Sequence, residues 1–210
     1  MIALSNYFPK DDYLQWEENQ NEKHEYVDGQ IYAMVVASEN HVDITTNLTV
    51  MLASHLRGGN CKVFPTDMRL HIASKNIYYY PDLLVTCDQR DRLNKQYKSY
   101  PCLIIEVLSE STEAKDRGIK FTPYQTLESL QEYVLVSQWE KRVEVFRRSD
   151  RQFWLLQTLT DDDIIELQSI NLSIPVTAIY EGVELAEKIE TGDPERIVTN
   201  EHRQSGKLDS

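Results

Sequence analysis

A chain of 210 residues, 41% hydrophobic and 27% charged, has the length and composition of one folded domain, which excludes disorder throughout. Its net charge of −12 opposes indiscriminate coating of nucleic acid, because phosphate binding draws on Lys and Arg to displace counterions. No apolar run reaches the roughly 20 residues that cross a bilayer, and the opening MIALSNYFPKDDYLQW lacks a basic start followed by an apolar core, so a cytoplasmic protein is expected.

In chain order, residues 11–19 predict a short helix. KHEYVDGQIYAMVV then predicts a hairpin, with Asp28 and Gly29 supplying the positive-φ turn. Ile44, Leu48, Met51, Leu52 and Leu56 recur at helical spacing from Glu39 to Leu56, and Gly58-Gly59 gives a stop. Strands are expected at 61–72 and 77–87. CLIIEVL, 102–108, is apolar on both alternating faces, as a central buried strand is. Thr112 suits the cap of a second helix. Residues 131–137, 142–147 and 152–159 predict strands, with extended pieces between 164 and 174, and Pro175 suits the first turn of a final helix to about Lys188. The expected organisation is one domain over 1–189 and a flexible tail over 190–210, where periodicity and apolar weight both fall away.

Charge is unevenly placed. Acids dominate the N-terminal and C-terminal parts, and bases gather between them in three groups: Arg90, Arg92, Lys95 and Lys98; Lys115, Arg117 and Lys120; Lys141, Arg142, Arg147, Arg148 and Arg151. A basic face on an acidic protein is one reading and a solvated surface the other. Cys61, Cys87 and Cys102 are odd in number and show no CxxC spacing, which predicts reduced core thiols rather than a disulfide framework or a zinc site.

Glu106 is the most informative residue. Flanked by Leu103, Ile104, Ile105, Val107 and Leu108 in a buried strand, its carboxylate needs a partner or a cation. Asp82, in YYYPDLLV, follows Pro81 and enters a neighbouring strand, so adjacent strands bring the two acids together. Hard cations take oxygen ligands and keep waters, so Asp82, Glu106 and a main-chain carbonyl suffice for Mg2+ or Mn2+. Lys120 completes the set if the helix after Thr112 packs beside the Glu106 strand. The competing reading is a buried ion pair with no chemistry.

YYYPDLLVTCD followed by PCLIIEVLSESTEAKDRGIKFTPYQTLESLQEYVLVSQWEKRVEVFRR resembles the Uma-type family of putative restriction endonucleases, as do HEYVDGQIYAM, the His41 helix and TDMRL. The resemblance runs from about Asp11 to Ile179. It implies an α/β (α+β) restriction-endonuclease-like fold, with a mixed central sheet flanked by helices. It also implies the PD-(D/E)xK site of an Asp, a Glu and a Lys around Mg2+. Asp82 and Glu106 match the acids. Two residues beyond Glu106, where the superfamily carries its Lys, stands Leu108, and Lys120 in DRGIK occupies the helix position that replaces it in Uma-type sequences. Val107 is the implied carbonyl ligand. Glu25 matches a further family acid, either near the metal or simply flanking the hairpin turn.

Helical spacing stacks Asp116, Lys120 and Tyr124 on one face, unless Gly118 and Pro123 kink it. Two functions follow as expectations. One is a Mg2+-dependent endonuclease hydrolysing DNA, a homodimer if it cuts two strands. The other is a nuclease-fold module that binds nucleic acid or partners without cutting.

Overall fold

Residues 3–4, 7–150 and 153–185 are described by the computed structural model. β1 (Ala3–Leu4) precedes helix α1 (Lys10–Glu17) and the hairpin of β2 (His24–Val27) and β3 (Gln30–Ala33). Asp28 and Gly29 have φ of 42° and 90°, the mirror-image turn that matches strand twist. Helix α2 (Glu39–His55) starts at Ser38, whose Oγ accepts from the His41 amide at 3.3 Å, and Gly58 follows its end at φ 80°.

The expected strands at 61–72 and 77–87 each divide in two: β4 (Lys62–Pro65) and β5 (Arg69–Ile72), then β6 (Ile77–Tyr79) and β7 (Leu83–Thr86). A positive φ at Thr66 breaks the first, and Pro81 lies in the break of the second. After helix α3 (Arg90–Leu93) come β8 (Tyr97–Lys98) and β9 (Leu103–Leu108).

The helix after Thr112 is not regular. Residues Lys115–Ile119 form a π-type turn in which the Lys120 amide donates to Lys115 O at 2.9 Å, and α4 (Phe121–Tyr124) follows. Thr112 stands immediately before the helical residues 113–114, and its carbonyl accepts from the Lys115 and Asp116 amides, each at 2.9 Å, as the residue that opens a helix does. The wide turn lies just ahead of Pro123, whose ring has no place against the preceding turn of a regular helix. The remaining elements are β10 (Glu132–Ser137), β11 (Arg142–Arg148), β12 (Trp154–Thr160), β13 (Ile164–Leu167), β14 (Leu172–Pro175) and α5 (Val176–Ile179). Helix α5 falls short of the Lys188 expected of it: Gly182 turns the chain at φ 74°, and the Tyr180 hydroxyl donates to Ser137 O at 2.8 Å. The expected tail lies outside the described residues.

One mixed sheet has the order β12-β11-β10-β9-β7-β4, with β9 and β10 parallel and β7 antiparallel to β9. The second runs β1-β3-β2-β6-β5-β8. The divided strands therefore serve both sheets. Leu103, Ile105 and Val107 point to one side of β9, into a core with Ile44, Leu48 and Leu52 of α2 and Val176 and Ile179 of α5. Ile104 and Leu108 point to the other side, where Leu70, Ile72 and Tyr79 of the second sheet meet Tyr124, Leu127 and Tyr133. Glu106 shares that second side by the alternation of the strand. A smaller cluster of Tyr13, Tyr26, Ile31 and Tyr78 packs α1 on the outer face of the second sheet.

Two of the three cysteines overturn the expectation of free thiols. Lys62 faces Thr86 across β4 and β7, so Cys61 and Cys87 stand opposite each other one residue further on, and they form a disulfide. Only tertiary pairing reveals this, because the two are 26 residues apart. Cys102 is a buried thiol pushed up to about 11 by burial.

Candidate functional site

Antiparallel pairing of Leu83 with Ile105 sets Asp82 beside Glu106, both on the side of the sheet that faces the second sheet. The contact is direct: the Asp82 amide donates to Glu106 Oε2 at 3.1 Å, and the Val107 amide donates to Asp82 Oδ2 at 2.7 Å. Glu106 is 2% exposed. Its Oε1 accepts from Lys120 Nζ and from the Tyr124 hydroxyl, each at 2.9 Å. The helix therefore does deliver Lys120 to the Glu106 strand, and the π-type turn keeps the expected face: Lys120 Nζ lies 3.3 Å from Asp116 Oδ1.

The second sheet contributes Glu25. It reaches across from β2, with Oε1 3.2 Å from Lys120 Nζ and Oε2 bonded to Lys115 Nζ. The Tyr80 amide donates to Glu25 at 3.4 Å. Lys120 is thus enclosed by three carboxylates from three elements, with the Tyr79 ring centroid 5.6 Å away. Asp82 and His41, at 15% and 12% side-chain exposure, form a more open edge of the cluster, His41 Nε2 lying 3.0 Å from Asp82 Oδ1. Surface concavities of about 230 Å³, beside Leu108 and Trp139, and about 270 Å³, beside Glu132 and Arg147, lie apart from it. Neither is lined by Glu25, Asp82, Glu106 or Asp116.

Electrostatics follow from the charges and their burial. Glu25, Asp82, Glu106 and Asp116 are four carboxylates facing the two ammonium groups of Lys115 and Lys120. Burial first, then Asp116 and Asp82, outweigh the pull of Lys120 and push Glu106 up to about 8. Asp116 is raised by burial as well. Burial would raise Glu25 too, but Lys120 and Lys115 together hold it below the usual carboxylate range. Lys120 resists burial through Glu106 and Glu25 and stays well above the usual ammonium value, so it is a charged donor, not a base. Tyr124, raised by burial and by Glu106, keeps its proton.

Asp82, Glu106, Val107, Lys120, Glu25, Asp116 and Tyr124 thus all lie in or against one cluster. Lys115 and His41 were not expected there. Lys115 reads in the sequence as part of a basic patch, and nothing local to His41 reveals that the first turn of α2 abuts the start of β7. Four of the other bases are engaged internally: Arg117 and Arg142 with Glu144, Arg147 with Glu132 at 3.0 Å, and Arg148 with the carbonyls of Gln125 and Leu127.

Residues 10–177 match the family described as "Uma2: Putative restriction endonuclease". Among curated proteins of Synechocystis sp., "Uncharacterized protein slr1290" is 46% identical over 179 residues, 84% of this chain and 94% of its own. "Uncharacterized protein sll1609" is 34% identical over 165 residues, 78% and 93% of the two chains. A solved structure titled as a putative nuclease belonging to DUF820 from Anabaena variabilis superposes with a TM-score of 0.69 at 16% identity, covering 83% of this chain and 98% of that one. At that identity the likeness is one of fold.

Proposed function

The chain belongs to the Uma2 family of putative restriction endonucleases, and from that premise we propose that Asp82 and Glu106 hold a divalent cation, Mg2+ or Mn2+, for hydrolysis of DNA phosphodiester bonds. The observation that carries the reading is the pairing of Asp82, partly exposed just ahead of β7, with buried Glu106 of β9, and Lys120 against Glu106. The residues fit a divalent ion. They offer hard oxygen donors, and their acids outnumber their ammonium groups by two, from four against two. Among the described residues no three His, Cys, Asp or Glu side chains converge as a ligand set, so the protein's share is two carboxylates and main-chain oxygen, with Val107 the candidate, and water completes the shell.

A bound cation would supply Lewis acidity toward a phosphoryl oxygen and make water a stronger acid. The chain's own groups do the rest. Lys120, charged and fixed by three carboxylates, supplies positive charge where a pentacovalent phosphate gathers negative charge. Glu25 and Asp116 hold that ammonium in place, and Tyr124 fixes the Glu106 carboxylate through Oε1. His41 and the Val107 amide orient Asp82 from its two oxygens. The test is cleavage of mixed DNA in Mg2+ or Mn2+ by wild type, Asp82→Asn and Lys120→Ala; activity in wild type alone supports the reading, and equal activity in all three overturns it.

A second reading, a module that binds without cutting, is favoured by Leu108, buried where the superfamily places its Lys. Metal-independent DNA binding with no cleavage would select it. Reversing Arg147 or Arg148 is unsuited to that test, because these side chains hold Glu132 and the 125–127 carbonyls.

A further inference from the structure

The concavity of about 230 Å³ beside Leu108 and Trp139 takes no part in the proposed chemistry, yet it continues the sheet face that carries Glu106. In register, Glu106 of β9 stands beside Leu135 of β10, and Leu135 beside Glu144 of β11. Neighbouring strands lie about 4.8 Å apart, so Glu144 is roughly 10 Å from Glu106 along one row of the sheet. The π-type turn joins the two places as well: Asp116 contacts Lys120 in the carboxylate cluster, and Arg117, the next residue, lines the concavity. Its lining is chemically mixed. Leu108 and Leu135 are buried, and Trp139, in the turn between β10 and β11, is 43% exposed. Glu144 is buried and bonded to both Arg117 and Arg142, whose side chains remain 33% and 42% exposed. A carboxylate so buried is costly unless paired, and here it fixes two guanidinium groups beside the indole.

With Glu113 and Glu140, the lining sets three carboxylates against two guanidinium groups. That balance disfavours an anion such as phosphate. It suits a neutral planar ring whose edge both accepts and donates, because guanidinium N–H groups serve acceptors, carboxylates serve donors and the indole takes the ring face. A nucleobase has all three features. The volume is below the roughly 300–1,000 Å³ of sites for drug-sized ligands, which suits one base rather than a base pair. We propose that this concavity receives one unpaired nucleobase of the strand whose phosphate lies at Asp82 and Glu106, with its face on Trp139 and its edge toward Arg117 and Arg142. The assignment rests on the reading of the carboxylate cluster as a nuclease site. A base inside an intact duplex is stacked on both faces and cannot also cover Trp139, so the substrate class is DNA that is single-stranded or carries a nucleotide turned out of the helix.

Fluorescence-anisotropy binding to the full chain in metal-free, low-salt buffer tests it. The probes are a short labelled single strand of mixed sequence and an abasic strand of the same length, which keeps the phosphates and lacks the bases. Wild type should prefer the base-bearing strand by about 10-fold or more, Trp139→Ala should lose that preference, and Trp139→Phe should recover most of it. Trp139 is half-exposed, so both variants keep the wild-type fold, which an unchanged melting curve verifies. Equal affinity for the two strands in wild type, no binding of either, or a preference that survives in Trp139→Ala overturns the proposal. Cleavage in Mg2+ is measured separately. A protein that shows the preference and cuts nothing keeps the base site and loses the nuclease reading, whereas one that cuts DNA without the preference keeps the nuclease reading and loses the base site.

Discussion

Replacing Glu106 by Gln removes one negative charge from the cluster while keeping the shape that accepts from Lys120 and Tyr124. Glu106 ordinarily titrates at 4.5, and in the fold it is pushed up to about 8, chiefly by burial. A folded value above the unfolded one means that the native state holds the proton more tightly. The group's stabilising contribution is therefore complete below pH 4.5 and lost as pH rises through 8. At roughly 1.4 kcal/mol per pH unit the displacement is worth at most about 5 kcal/mol, and sharing of the charge with Asp116 lowers this to about 2–5 kcal/mol. In metal-free buffer, Glu106→Gln should match wild type near pH 5 and exceed it by about that amount near pH 9. Urea denaturation at a series of pH values measures the difference. Parallel stability curves for the two proteins would refute the assignment of excess negative charge to this cluster.

Further outcomes follow from the same contacts. Lys120→Met leaves Glu25, Glu106 and Asp116 without their shared ammonium and should cost about 3–5 kcal/mol in urea denaturation, whereas a loss below about 1 kcal/mol would show that the cluster does not need it. His41→Ala removes the side-chain partner of Asp82 Oδ1 and should weaken Mn2+ binding about 10-fold or more with an unchanged far-ultraviolet spectrum; unaltered affinity would contradict the orienting role. Cys61→Ser should lower stability by about 2–4 kcal/mol under non-oxidising and oxidising conditions alike when compared with the oxidised wild type, and three titratable thiols in the unreduced, denatured wild type would contradict the bridge.

Glu106 is legible in the sequence because a charge in an apolar run is costly and local, and Asp82 because Pro81 marks the entry to its strand. The helical offset of four residues likewise places Asp116, Lys120 and Tyr124 on one face, and the π-type turn ahead of Pro123 preserves rather than spoils it. What the sequence hides is long-range. Glu25, singled out only by the family resemblance, arrives from the other sheet, His41 from a helix 41 residues before Asp82, and the Cys61–Cys87 bridge from the register of β4 on β7. The division of 61–72 and 77–87 between two sheets depends on breaks at Thr66 and Pro81 that continuous strand propensity conceals. The early end of α5 has the same origin: Tyr180 is anchored to Ser137 on β10, far along the chain.

The most direct test of the proposed metal site is calorimetric titration of Mn2+ and Mg2+ into wild type and Glu106→Ala at pH 8. One divalent site in wild type, with proton release as Glu106 ionises, and its loss in the variant are predicted. No binding to wild type, or equal binding to both, would contradict the assignment of Asp82 and Glu106 as metal ligands.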